Sequence, residues 1–198
     1  MEGLGSMAAL LRNRAASEAR GNFFAFLDGD DVMEPGKLAV QLAQFRKQPD
    51  IHWSHTNVRI LQDETGAIMP NPRPPDAPEV LEPEKCFAQL AFRNYVTIST
   101  VMIRREAFFS VNGFREEMNR CEDIDLWLRL AESGCSAGYL SEPLLQYRVR
   151  KSGLFSSKTL EYLESNFKVY DYIRKSFPEL YDKHRNIILQ YLSNNHLK

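Results

Sequence analysis

Apolar and polar positions follow two different periods along the chain, which predicts a mixture of helices and strands. Residues 7–20 are rich in alanine and end before Gly21, a pattern that predicts a helix. Phe23 to Leu27 is a short continuous apolar run, which is typical of a buried strand. From Pro35 to Lys47 apolar residues recur at helical spacing, so a second helix follows.

The same two periods continue to alternate through the rest of the chain. The predicted strands are Ile51–Leu61, Ala67–Met69, Val96–Ile103, Ala137–Leu140 and Leu144–Val149, and the predicted helices are Glu84–Phe92, Arg105–Ser110 and Glu122–Ser133. Residues 70–83 hold six prolines, which predicts an extended surface loop. Strands that alternate with helices favour an α/β sandwich.

The last forty residues have a helical pattern of their own. From Thr159 onward we predict two amphipathic helices that Pro178 separates. One face of this tail carries Leu160, Leu163, Phe167, Tyr170 and Ile173. We therefore expect a core over residues 1–155 and C-terminal helices over residues 156–198 that pack on it, with contact to a membrane or a partner as the alternative.

Composition narrows the class of protein. Among 198 residues, 43% are hydrophobic and 26% are charged, and the formal net charge is −1. Such a balance favours a globular domain and gives no sign of a nucleic-acid binder or a polybasic membrane anchor. The three cysteines lack CxxC spacing, and no apolar run approaches the ~18 residues that cross a membrane. We expect a cytoplasmic protein, with peripheral contact to a membrane left open.

The predicted strand Phe23 to Leu27 ends on three carboxylates. Asp28, Asp30 and Asp31 would repel one another unless a cation or hydrogen-bond donors compensate them. Mg²⁺ or Mn²⁺ commonly binds one or two carboxylates together with phosphate oxygens, so the cluster indicates a metal–diphosphate site. A polar turn whose Asp30 or Asp31 caps the next helix is the alternative. An EF-hand is excluded, because Val32 occupies a position that needs an oxygen ligand.

A second acidic cluster opens the predicted helix Glu122–Ser133. Glu122, Asp123 and Asp125 could simply complement the helix dipole in its first turn, with Trp127 in the core. Alternatively, one of these carboxylates lies near the metal and acts as a general base. The two interpretations are both open at this point.

The two clusters together resemble a known family. The segment "RNRAASEARGNFFAFLDGDDVMEPGKLAVQ" is similar to the central motif of family 2 glycosyltransferases, which have the GT-A fold. The segment "STVMIRREAFFSVNGFREEMNRCEDIDLWLRLAESG" resembles the acceptor side of the same family, and "PLLQYRVRKSG" its closing strand. The resemblance runs from about Leu10 to Gly153.

The resemblance implies a GT-A-like (Rossmann-like) α/β/α sandwich with a mixed sheet, and a role for each matching residue. Asp28 and Asp30 match the metal-binding D-x-D, with Asp30 as direct ligand to Mn²⁺ or Mg²⁺. Asp123 matches the general base of an inverting transfer, and Glu122 helps to position it. The implied partners are a nucleotide-sugar donor, most simply a UDP-sugar, and a hydroxyl acceptor on a glycan or a lipid-linked molecule. The implied donor contacts also include Arg12, Asn13 and Arg150.

Two departures from the family pattern matter. Arg150 stands where many relatives have a histidine, and arginine cannot ligate a metal, although it can grip a phosphate. The first strands of the family's nucleotide-binding subdomain have no counterpart ahead of the Arg12–Asn13 helix. We therefore expect an N-terminally shortened member with weak or no activity, and an exposed sheet edge that favours self-association.

Two other functions compete with the transferase. "FAFLDGDDV" also fits the D-x-D strand of haloacid-dehalogenase-like phosphatases, in which Asp28 would be a nucleophile. That class needs a later acidic motif at a strand end, whereas Glu122 and Asp123 open a predicted helix. The other alternative is a non-catalytic remnant that acts as a binding or scaffold module.

Overall fold

The computed structural model describes residues 4–72, 78–92, 94–118, 121–150, 170–175, 178–179, 181–182 and 185. Its α-helices are α1 (Leu4–Glu18), α2 (Lys37–Lys47), α3 (Pro83–Phe92), α4 (Arg105–Ser110) and α5 (Glu122–Glu132). Its strands are β1 (Phe23–Ala25), β2 (Val32–Met33), β3 (Trp53–Gln62), β4 (Ile68–Pro70), β5 (Val80–Leu81), β6 (Met102–Arg104) and β7 (Ala137–Val149), and Ile98–Thr100 forms a 3₁₀ helix.

The strands form one mixed sheet. Its order is β1-β6-β3-β7-β2, with β4 added to β3 and β5 added to β7. β3 and β7 run parallel, and the other pairs are antiparallel. The predicted α/β class and the mixed sheet are confirmed. In the described residues β1 pairs on one side only, with β6.

Helices cover both faces of the sheet because consecutive strand residues point to opposite sides. Phe24 and Ile103 join the large core cluster that contains the buried residues of α1, α3, α4 and α5. Their neighbours Phe23 and Met102 pack with Phe45 of α2 in a smaller cluster. The alternation along β1 and β6 thus produces the helix–sheet–helix layering that the sequence predicted.

The centre of the large core is a pair of stacked indoles. Trp53 of β3 and Trp127 of α5 are fully buried, with ring centroids 5.0 Å apart and planes 12° from parallel. The expectation that Trp127 is a core residue is therefore confirmed. The contact fixes α5, whose first turn carries the second acidic cluster, against the middle of the sheet.

Two predicted strand boundaries were wrong. Val96–Ile103 was predicted as one strand, but Ile98–Thr100 is a 3₁₀ helix, and the Thr100 hydroxyl donates to the Thr97 carbonyl. Its β-branched side chains are buried without a strand ladder. Ala137–Leu140 and Leu144–Val149 are one strand, β7, because a register irregularity beside Pro143 carries the pairing with β3 past the break.

The C-terminal tail is described only in part. Residues 170–175 are helical, and Tyr170 and Ile173 are buried in the large core cluster. Leu160, Leu163 and Phe167 lie outside the described residues. The division into a core over 1–155 and a packed tail over 156–198 stays a prediction. The predicted loop 70–83 contains β5, which pairs with β7.

Candidate active site

The acidic loop, residues 28–31, follows β1 and is held at both ends. The Asp31 amide donates to the Asp28 carbonyl at 3.1 Å, and the Asp28 amide donates to Ser99 Oγ at 3.0 Å. Asp31 Oδ1 accepts a hydrogen bond from the Arg148 amide at 3.1 Å. The alternative in which Asp30 or Asp31 caps the next helix is wrong, because α2 has Gly36 as its N-cap and no side chain caps it.

Asp30 and Asp31 have opposite environments within this loop. The Asp30 carboxylate is exposed and has no hydrogen-bond or ion-pair partner among the described residues, while Arg148 Nε holds the Asp30 carbonyl at 2.7 Å. Asp31 Oδ2 is buried without a hydrogen bond. Burial raises the pKa of Asp31, and the charges of Asp30 and Asp28 raise it further. Asp30 is thus the carboxylate at which a ligand can arrive.

Arg12 of α1 joins the two acidic clusters. Its Nη2 contacts Asp28 Oδ1 at 2.6 Å, and its Nη1 contacts Glu122 Oε1 at 2.9 Å. Burial acts to lower the pKa of Arg12, but the two carboxylates outweigh it and the pKa is raised. Asp28 and Glu122 are almost a hundred residues apart in the sequence. Their carboxylates lie close together in the structure because both bind the same guanidinium.

The side-chain amide of Asn13, the next residue of α1, makes both of its hydrogen bonds within the protein. Its Nδ2 donates to the Phe114 carbonyl at 2.8 Å, and its Oδ1 accepts from the Phe114 amide at 2.9 Å. Gly113 has φ +64°, and a Cβ there would lie 2.7 Å from Asn13 Oδ1. The close approach of this turn fixes α1, and with it Arg12. A contact from Asn13 to a donor stays a prediction.

Asp123 lies beside Glu122 in the first turn of α5. Its Oδ1 accepts from the Ile124 amide at 2.7 Å, and its Oδ2 accepts from Asn94 Nδ2 at 3.1 Å. Burial and the negative charge of Glu122 raise the pKa of Asp123 to about 6, against the opposing effects of these hydrogen bonds and of Arg12. A carboxylate with that pKa is suited to accept a proton near neutral pH.

Tyr147 of β7 lies within electrostatic range of both acidic clusters, and no role was predicted for it from the sequence. Burial raises its pKa to about 12, and four carboxylates raise it as well: Asp31, Asp30, Asp28 and Asp123. Tyr147 therefore experiences the field of the acidic loop and of Asp123 together. It stood inside the recognised segment "PLLQYRVRKSG", but nothing in the pattern marked its side chain as facing carboxylates.

Two further residues were missed. Asn94 bonds Asp123, and Ser99 bonds the backbone of Asp28. Ser99 lies within the predicted strand Val96–Ile103, and Asn94 lies two residues before it. Their partners are 29 residues away for Asn94 and 71 residues away for Ser99. Pairings at that separation leave no local periodicity to detect.

Arg150 lies apart from this arrangement. Its Nε pairs with Asp63 Oδ2 at 3.2 Å, and the same carboxylate takes Arg148 Nη1 at 2.8 Å through Oδ1. The Arg150 side chain is 48% exposed. The structure thus connects Arg150 to the turn after β3, and its predicted contact with a phosphate stays a prediction.

The donor set fits a hard divalent cation that is completed by a substrate. No group of three or more His, Cys, Asp and Glu side chains within the described ranges is arranged to hold a metal ion. Asp30 offers an unpartnered carboxylate, and Asp28 keeps Oδ2 beside the oxygen that Arg12 occupies. Mg²⁺ is usually bound by one or two carboxylates, with phosphate oxygens among the remaining ligands.

No helix in the described part of the chain is both long enough and apolar enough to cross a bilayer.

The chain is similar to known glycosyltransferases in sequence and in fold. The family described as "Glycosyltransferase like family 2" matches residues 5–197. The uncharacterized glycosyltransferase MJ1057 of Methanocaldococcus jannaschii is 28% identical over 160 residues, which are 76% of this chain and 53% of that protein. The UDP-Glc:alpha-D-GlcNAc-diphosphoundecaprenol beta-1,3-glucosyltransferase WfgD of Escherichia coli is 25% identical over 179 residues, 88% of this chain and 64% of WfgD.

Solved structures show the same fold. S. aureus TarS 1-349 in complex with UDP-GlcNAc superposes with a TM-score of 0.66 at 16% identity, over 98% of this chain and 56% of that one. A second crystal structure of S. aureus TarS 1-349 superposes with a TM-score of 0.64 at 17% identity, over 99% of this chain and 53% of that one. The chain spans about half the length of most of these relatives. With its mixed sheet and its family match over nearly all residues, the chain belongs to the family 2 glycosyltransferases of GT-A type.

Proposed function

We propose that this chain transfers a sugar from a nucleotide-sugar donor to an acceptor hydroxyl, with inversion at the anomeric carbon. A UDP-sugar is the donor we favour, because the structural neighbour TarS is described in complexes with UDP and UDP-GlcNAc. The acceptor we favour is a lipid-linked sugar, because WfgD is named for transfer to a diphosphoundecaprenol-linked sugar, and a glycan is the alternative. We place the reaction in the cytoplasm or at a membrane surface.

The observation that carries this proposal is the bridge made by Arg12. It holds Asp28 of the acidic loop and Glu122 beside Asp123 in one site, at 2.6 Å and 2.9 Å. A transferase needs an electrophile held at one carboxylate cluster and a base at a second one nearby. This pairing also disfavours the phosphatase alternative, because Glu122 and Asp123 open α5 and do not end a strand.

In the proposed reaction, Asp123 Oδ2 accepts the proton of the acceptor hydroxyl as its oxygen attacks the anomeric carbon. The bond between that carbon and the diphosphate oxygen breaks, and the nucleoside diphosphate leaves with the electron pair. Family 2 glycosyltransferases of GT-A type commonly use divalent cations, and Asp30 and Asp28 are the residues that would hold one here. Such a cation neutralises charge that develops on the leaving diphosphate.

The remaining polar residues of the site support these groups. Glu122 raises the basicity of Asp123 by its charge, and Arg12 limits that effect from the other side. Arg148 holds the acidic loop through the Asp30 carbonyl and the Asp31 carboxylate, so that the Asp30 side chain is left to the ligand.

Release of UDP from UDP-sugars in the presence of Mn²⁺ and mixed acceptor sugars tests the proposal. We expect weak but measurable turnover that Asp123→Asn lowers by about a hundred-fold or more, as expected for loss of a general base. Asp50→Asn is the matched control, because the Asp50 side chain is exposed and makes no ion pair or side-chain hydrogen bond within the described residues. Turnover that survives Asp123→Asn would refute the role of the base. No turnover with any donor would favour the non-catalytic binding module.

A further inference from the structure

We propose that Asn94 is a positioning residue that fixes the carboxylate of Asp123 for proton transfer; this inference rests on the proposed function. Asn94 Nδ2 donates to Asp123 Oδ2 at 3.1 Å, and Asn94 Oδ1 accepts from the Val96 amide at 3.2 Å. A backbone amide can only donate, so Oδ1 must face Val96 and the NH₂ group must face the carboxylate. The direction of the bond to Asp123 is thereby determined.

The two oxygens of Asp123 are then held from both sides. Oδ1 is bound by the Ile124 amide at 2.7 Å, within its own helix, and Oδ2 is bound by Asn94 from a different segment. A carboxylate fixed at one oxygen can still rotate about its terminal torsion, whereas one fixed at both cannot. Because a carboxylate oxygen has two lone pairs, Oδ2 keeps one for an incoming hydroxyl.

Asn94 is exposed, but its neighbours anchor it. Tyr95 donates from its hydroxyl to Gln89 Oε1 of α3 at 3.1 Å, and its ring lies 5.7 Å from that of the buried His55. Val96 is 3% exposed in the large core cluster. An exposed amide with both of its ends engaged, on a backbone fixed by the core, is the arrangement that holds a reacting group within a few tenths of an ångström.

Charged and titratable groups on at least three of the described elements act on Asp123. Glu122 lies on α5 itself, Arg12 faces it from α1, and the Tyr147 phenol on β7 is influenced by its charge. Glu122 raises the pKa of Asp123, whereas Asn94 and Arg12 lower it. Loss of Asn94 therefore moves the titration of Asp123 to higher pH, with the other groups unchanged.

The test compares the wild-type chain with Asn94→Ala and with the control Asn22→Ala, an exposed asparagine that precedes β1. Asp123 is titrated by carboxyl-carbon NMR, its signal assigned through Asp123→Asn, and the pH dependence of UDP release is measured in parallel. We expect Asn94→Ala alone to raise the titration midpoint of Asp123 and to lower kcat by about ten-fold, with UDP affinity unchanged.

The outcomes separate the two claims. An Asp123 midpoint in Asn94→Ala that equals the wild-type value overturns this inference, whether or not the chain turns over substrate. A lower melting temperature with an unmoved midpoint also overturns it, because that result assigns Asn94 a purely structural role. A wild-type chain that binds no UDP and releases none refutes the proposed function, and the NMR midpoint still decides whether Asn94 holds Asp123.

Discussion

Replacement of Arg129 by methionine tests which contacts stabilise the turn at Val111 and Gly113, whose carbonyls Arg129 binds. Arg129 is 5% exposed, and its guanidinium binds Asp125 Oδ2 through Nε at 2.8 Å and Nη2 at 2.6 Å. It also donates to the Val111 carbonyl and, at 2.8 Å, to the Gly113 carbonyl. Asp125 is fully buried, so Arg129→Met leaves a carboxylate and two carbonyls without their main donor.

The magnitude follows from these contacts. Removal of one partner from a buried ion pair costs about 3–5 kcal/mol of unfolding free energy. Arg115 stays 3.5 Å from Asp125 Oδ1, but its side chain is 41% exposed, so it compensates only part of the loss. We expect about 3 kcal/mol, which for a chain of this size lowers the melting temperature by roughly 6–12 °C.

Urea denaturation followed by circular dichroism measures this loss, and Arg174→Met is the matched control. Arg174 pairs with Asp171 on the surface at 2.8 Å with 59% of its side chain exposed, so its loss should lower stability far less than loss of the buried Arg129 does. The double variant Asp125→Asn with Arg129→Met should recover part of the stability, because it removes the buried charge. Equal losses of stability in Arg129→Met and Arg174→Met would show that the buried contacts of Arg129 contribute no more than a surface ion pair.

Three further predictions concern the site itself. Gly113→Ala should lower the free energy of unfolding, measured in urea, by more than Gly134→Ala does. Both glycines have positive φ, but of the two only a Cβ at Gly113 would meet other atoms, at 2.7 Å from the Asn13 amide oxygen and 2.9 Å from the Phe108 ring. Equal losses in the two variants would contradict this prediction. Asp123→Asn should stabilise the chain at pH 7.5 by on the order of 2 kcal/mol and have no such effect at pH 4. The pKa of the Asp123 carboxyl is raised from 3.8 to about 6 on folding, so its ionisation destabilises the folded protein as pH rises through that range. A lower melting temperature of Asp123→Asn at pH 7.5 would contradict this prediction. Arg12→Ala should destabilise the chain at neutral pH and less in acid, where its two carboxylate partners become protonated, whereas Arg14→Ala, 75% exposed on the same helix, should change little; a pH-independent loss would argue against the bridge.

The sequence predicted the layers of the fold because period and burial are local signals. α4 was predicted with its observed bounds, and α5 to within one residue, since apolar spacing and the glycine at 134 mark them. The stretch from Val96 to Ile103 failed for the opposite reason. Its β-branched residues favour a strand, but tertiary packing holds part of it as a 3₁₀ helix.

The carboxylates of the candidate site could be predicted from the sequence, whereas the contacts that join and support them could not. Asp28, Asp30 and Asp123 stand in motifs with fixed spacing, so a resemblance could name them. The bridge through Arg12 and the support from Asn94 depend on contacts across 110 and 29 residues, which only the folded chain reveals. Asn13 shows the same limit, because the fold engages its amide with Phe114.

We propose that the acidic loop binds a nucleoside diphosphate together with a divalent cation, and isothermal titration calorimetry of UDP measures this binding. Wild-type chain, Asp30→Asn and the exposed control Asp182→Asn are titrated with UDP, each with and without Mn²⁺. We expect binding of UDP that requires Mn²⁺ and that weakens by about ten-fold or more in Asp30→Asn alone. Binding that is indifferent to Mn²⁺ or to Asp30, or no binding by the wild-type chain, would contradict it.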